Sequence, residues 1–150
     1  LELLIVISIL GLLAAAALPG AASNRHDLET AAQNLVSDIR LTQQLNLNSG
    51  GQKKYILYFL LPKKGAHYYL ISGGDGEIKR VYLPESVIIR SQPNPVSFSV
   101  GGVPISGGNT TMTAQTITLE NTGGLNIFIR LAPITGRARS TYNNDPKSLD

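Results

Sequence analysis

The sequence predicts an α+β fold in which a long N-terminal helix, residues 1–47, packs on a small antiparallel β-sandwich built from residues 48–150. Three observations lead there. Residues 3–18 carry no charge and only one polar side chain, Ser8. Residues 21–47 continue with apolar side chains at helical spacing. After Gly51 no helix-period stretch appears, and short β-rich runs alternate with Gly, Pro and Asn turns. That succession argues against a parallel βαβ arrangement.

Composition sets the outer limits. At 150 residues the chain is about one domain long. With 43% apolar and 15% charged residues it holds too much hydrophobe to stay disordered. The absence of cysteine excludes a disulfide scaffold, a thiolate zinc site and a cysteine nucleophile. Thirteen basic against ten acidic residues give a net charge of +3, so any polyanion site must be local. Two histidines and no tryptophan leave little material for a catalytic centre. The expectation is a non-enzyme without a cofactor.

The first half of the helix, residues 1–20, reads as a membrane or filament-core segment. Its sixteen uncharged residues span roughly 24 Å, a little short of a ~30 Å hydrocarbon core. The chain opens at Leu1-Glu2 without a starting Met, so a few further apolar residues upstream are expected. Glu2 stands out, because a carboxylate beside an apolar span is costly unless it is paired or held at the interface. A plain reading makes it a headgroup-level flanking charge. A cleaved secretory signal is a second alternative, with small residues at positions 15–17 and 21–23 offering a cleavage site.

The second half, residues 21–47, continues as helix, which a cleaved signal has no reason to do. Leu28, Ala32, Leu35 and Ile39 recur at steps of four, three and four, and Ala31 and Val36 widen the stripe. Arg25, Asp27, Glu29, Gln33, Asn34, Asp38 and Arg40 fill the remaining face. Pro19-Gly20 should kink the helix between its halves, since proline removes a donor and clashes with the preceding turn. Asn48-Ser49-Gly50-Gly51 ends it.

In the globular part, residues 55–61 form a β-rich run closed by Pro62. Residues 67–72 and 78–83 flank Gly73-Gly74-Asp75-Gly76, which predicts a hairpin. Further strands are expected at residues 86–90, 96–100, 116–120 and 126–131, with the helix stripe packed on one sheet. The polar end from Tyr142 onward is expected to fray or extend from the surface.

The segment LELLIVISILGLLAAAALPG resembles the N-terminus of type IV pilins and type II secretion pseudopilins, with Glu2 before the apolar run and Pro19 seventeen residues on. Further pieces resemble the H-type (GspH/FimT-like) minor pilins. They are Asn34-Leu35-Val36-Ser37-Asp38-Ile39-Arg40, Leu83-Pro84-Glu85-Ser86-Val87, Phe98 with Gly101-Gly102-Val103-Pro104 and Gly107-Gly108, and Thr135-Gly136-Arg137-Ala138-Arg139. The lack of cysteine departs from major pilins that close a C-terminal loop with a disulfide, and so favours a minor subunit.

The resemblance implies a leader removed by a prepilin peptidase, a methylated new amino terminus, and residence in the cytoplasmic (inner) membrane as a single-pass protein. It further implies recruitment by an inner-membrane assembly platform into a periplasmic or extracellular filament with other pilin or pseudopilin subunits. Membrane lipid is the surrounding before assembly. Glu2 would face the terminal amine of a neighbouring subunit, and Pro19 and Gly20 would give the helix the flexibility that packing needs. The alternatives are a major pilin of the filament and a DNA-binding minor pilin.

Arg130, Arg137 and Arg139 carry the DNA alternative. Residues 130–139 hold three arginines and no acid. Arginine forks suit phosphate oxygens, and such contacts dominate non-specific DNA binding. By resemblance, Gly-Arg-x-Arg at this place is the DNA-contacting motif of FimT-like minor pilins. The bland reading makes Arg137 and Arg139 neighbours on one face of the last strand, solvated or paired with another subunit. Lys53-Lys54 and Lys63-Lys64 extend the patch or protect a strand edge. His26 and His67 lack partners at ligand spacing, so no metal site is expected. Asp75-Gly76-Glu77 reads as a turn without the alternating oxygens of a calcium loop.

Overall fold

The computed structural model describes residues 6–7, 20–106 and 114–142. Helix α1, Gly20–Asn48, is 29 residues and roughly 43 Å long. Among the described residues nine strands follow: β1 Ile56–Leu60, β2 Tyr68–Gly73, β3 Gly76–Tyr82, β4 Val87–Ile89, β5 Val96–Phe98, β6 Pro104–Ser106, β7 Gln115–Asn121, β8 Asn126–Leu131 and β9 Ala138–Tyr142. They form two sheets, ordered β3-β2-β1-β5-β6 and β4-β7-β8-β9, with every pairing antiparallel. The chain is thus α+β.

α1 ends by tightening from its regular ladder into a last three-residue turn. Ser49 N donates to Leu45 O and Gly50 N to Leu47 O, while Ser49 Oγ donates to Asn46 O at 2.9 Å. Gly50 and Gly51, at φ 57° and 86°, then turn the chain through a region that disfavours other side chains. The predicted hairpin is β2–β3, closed by Gly73 against Gly76 with a bulge between Ile71 and Ser72.

The helix packs on both sheets, against β1 and β5 of the first and β4, β7, β8 and β9 of the second, which corrects the expectation of one sheet. The reason lies in the stripe's width. Leu28, Ala31, Ala32, Leu35, Val36 and Ile39 are all buried, and two adjacent alanines let the helix approach closely. They share one core with Leu57, Tyr69 and Ile71 from the first sheet and Ile117, Leu119, Ile129 and Leu131 from the second. All buried apolar side chains described lie between Leu28 and Ala138.

β6 lay outside the sequence expectation, and β9 entered it only as the last strand in the plain reading of Arg137 and Arg139. β6 has three residues and opens on proline, and β9 is mostly polar; both are edge strands, where alternation is weak. Tyr142 belongs to β9, opposite Ile127, instead of to a fraying tail. Asp38, expected on the polar face of the helix, is buried at 3% exposure. Among the described residues no helix is long and apolar enough to cross a membrane. Of the apolar segment only Val6 and Ile7 are described; both are helical and exposed. The kink expected at Pro19 lies outside the described residues.

Candidate functional site

The site grows from one glycine. Residues 132–136 form a turn in which Gly136 N donates to Ala132 O and Ala132 N to Arg137 O, both at 3.0 Å. Gly136 sits at φ 65°, and a Cβ there would meet Gln43 Nε2 at 2.7 Å, Gly102 O at 2.8 Å and Phe98 Cε1 at 2.9 Å. Only glycine fits. Gln43 of α1 closes the arrangement, its Nε2 donating to Gly102 O at 2.9 Å and to Thr135 O at 3.3 Å. A helix side chain thereby fixes the turn from which Arg137 and β9 emerge.

Between α1 and the β9 edge lies an open cleft of about 410 Å³, lined by Arg40, Gln43, Gln44, Gly136, Arg137, Ala138 and Arg139. Arg40, Arg137 and Arg139 are exposed, and among the described residues no acid shares the lining. None of the three guanidinium groups has an ion-pair partner among the described residues. Three cations around a concave surface attract a polyanion, and arginine forks match phosphate or carboxylate oxygens.

Of the three arginines singled out from the sequence, two line the cleft. Arg137 lies one residue before β9, so the bland placement of both on the last strand holds for Arg139 alone. Arg130 sits one strand inward on β8, half-buried and directly opposite Arg139, outside the lining. Cross-strand partners share a face, so like charges adjoin there. Arg40 and Gln43 were missed as site residues. Arg40 lay in view on the polar face of the helix, but its nearness to residues 137–139 depends on how α1 crosses the second sheet.

Glu2 and Pro19 lie outside the described residues, and Gly20 is the first residue of α1. Lys53 pairs with Asp75, and among the described residues no lysine lines the cleft. His26 is exposed, while His67 Nδ1 accepts from Ile89 N at 3.0 Å, a link from the start of β2 to β4. Among the described residues no group of three His, Cys, Asp or Glu could hold a metal ion.

Two polar clusters fix the helix that carries Arg40. Asp38 accepts from Tyr69 Oη at 2.8 Å and from Lys79 Nζ at 2.6 Å, joining α1 to β2 and β3. Burial, then the hydrogen bond to Asp38, pushes the Tyr69 phenol far above its ordinary range. Near the start of α1, Arg25 donates to Glu29 at 3.2 Å and lies 5.5 Å from the Tyr142 ring centroid. Hydrogen bonds from Tyr142, then Arg25, hold Glu29 below its ordinary value. This cluster ties the far end of β9 to the helix.

Comparisons with protein-family models, curated proteins and solved structures find no match for the chain.

Proposed function

We propose that this chain is a structural subunit, a minor pilin or pseudopilin, that assembles into or primes a type IV pilus or type II secretion pseudopilus. The observation that carries the reading is the uncharged run of residues 3–18 behind Glu2, leading through Pro19 and Gly20 into a helix anchored in a β-rich head. In this reading the subunit leaves the inner membrane by burying residues 3–18 against neighbouring helices in a periplasmic or extracellular filament. Glu2 sets the register by pairing with the amino terminus of an adjacent subunit. A carboxylate stranded in such a bundle would cost about 3–5 kcal/mol. Prepilin peptidase and an inner-membrane platform are the partners this route requires.

The test is incorporation of Glu2→Ala into sheared filaments, read against wild type. The variant should be depleted from filaments while the full chain carrying it keeps the wild-type melting midpoint in detergent. Normal incorporation would remove the register argument. Release of a native protein beginning near Ser23 would sink the filament reading altogether.

A second reading rests on the arginine cleft: a minor pilin that binds DNA through Arg137 and Arg139, with Arg40 added from the helix and Arg130 adjoining. Its test is DNA binding by the Ser23 fragment across a salt series, wild type beside Arg137→Ala/Arg139→Ala. Affinity should fall with a log–log slope of about −0.9 for each duplex phosphate engaged, and the double variant should lose most of it. No binding at low salt would reject the DNA reading and leave the filament one standing.

A further inference from the structure

The end of the molecule at the C-terminus of α1 combines two surface properties. Three separate segments meet there, residues 40–48, 96–106 and 132–139, and none of them contains Asp or Glu. Gln43 joins them through its bonds to Gly102 O and Thr135 O. Arg40, Arg137 and Arg139 bring positive charge. The same pole exposes large apolar side chains: Ile134 at 80%, Val100 at 56% and Leu47 at 42%. Positions around Gly102 and Gly51 bring Leu47 and Val100 to this end, since a Cβ on Gly102 would stand 3.6 Å from Leu47 Cδ2 and one on Gly51 3.0 Å from Val100 Cγ2. Ile134 projects from the turn whose Thr135 carbonyl Gln43 holds.

We infer that this pole docks on an anionic lipid bilayer surface, with Ile134 entering the interface and the three arginines meeting lipid phosphates. Charge alone would fit any polyanion. What selects a bilayer is the apolar side chain most exposed among those described, held on a braced turn beside cations, because a duplex offers no apolar layer for it to enter. Basic residues near an anionic leaflet and an inserted apolar side chain are the two contributions that hold a peripheral protein there. The docking goes beyond the filament reading and does not depend on it. α1 is roughly 43 Å long, and this pole sits at its C-terminal end.

The experiment is co-sedimentation of the Ser23 fragment with phosphatidylglycerol–phosphatidylcholine vesicles, against pure phosphatidylcholine vesicles. The fragment is suitable because it contains the whole described core, and omitting residues 1–22 removes the apolar run that would insert by itself. Binding is expected only with phosphatidylglycerol, and salt should weaken it. Ile134→Ser should weaken partitioning about tenfold, and Arg137→Ala/Arg139→Ala roughly thirtyfold. Duplex DNA binding measured in parallel should be unchanged by Ile134→Ser. If Ile134→Ser partitions like wild type, or if phosphatidylglycerol gives no gain at low salt, the proposal is overturned. The first of these, with binding lost in the arginine variant, would identify a plain polyanion site.

Discussion

Gly136 and Arg137 are adjacent, yet the geometry assigns them opposite kinds of importance. A methyl group at Gly136 would press on the Gly102 carbonyl and the Phe98 ring, which cannot swing aside as a surface side chain can, and φ 65° adds strain. Gly136→Ala should therefore cost about 2–4 kcal/mol, combining left-handed backbone strain with overpacking. Arg137 and Arg139 are exposed without ion-pair partners among the described residues. Replacing both with alanine should shift stability by no more than about 0.5 kcal/mol per site. Urea unfolding of the three proteins checks the contrast. A Gly136→Ala variant as stable as wild type would mean that the turn has room to move, and that Gln43 does not hold it.

At the scale of elements, the helix is held to the first sheet by a side-chain junction more polar than the apolar stripe suggests. Asp38 joins Tyr69 of β2 and Lys79 of β3, and this junction makes stability sensitive to alkali. The phenol of Tyr69 is raised in the folded state above its ordinary value of 10.0. Its contribution is complete below pH 10.0 and is lost as pH rises further, because only the unfolded chain then releases the proton. The slope expected from this one group is roughly 1.4 kcal/mol per pH unit. Tyr69→Phe removes that group, so its stability cost relative to wild type should shrink between pH 10 and 11; a constant difference would refute the assignment. The same junction marks the limit of the sequence reading. The stripe from Leu28 to Ile39 was legible because burial repeats at helical spacing, and residues 126–131 were legible as a strand because they alternate. Asp38 was not, since what permits its burial is Lys79, 41 residues away. Arg40 and Gln43 were hidden for a similar reason: their partners belong to a different part of the chain, and β9 beside them has too little apolar alternation to announce itself.

Over the whole molecule, the division between the apolar N-terminal run and the head has a thermodynamic consequence. A head whose core depended on residues 1–23 could not act as an independent unit carried by a filament-building segment. Among the described residues the buried apolar side chains run from Leu28 to Ala138, the ion pairs begin at Arg25, and the first side-chain hydrogen bond is from Asn24 to Thr122 at 3.2 Å. Both sheets contribute to that one core, so they should unfold together instead of in turn. A fragment beginning at Ser23 should accordingly lose structure in a single urea transition, with a slope of about 1–3 kcal/mol per molar urea. Fluorescence of its tyrosines and far-UV circular dichroism should report the same midpoint. The full chain in detergent should share that midpoint, because the run of residues 3–18 would be solvated by detergent before and after the head unfolds. Two separated transitions would mean that the sheets are distinct cooperative units bridged by α1. A fragment that melted well below the full chain would mean that residues before Asn24 support the core directly. In that case substitutions at Glu2 could no longer be read as effects on assembly alone.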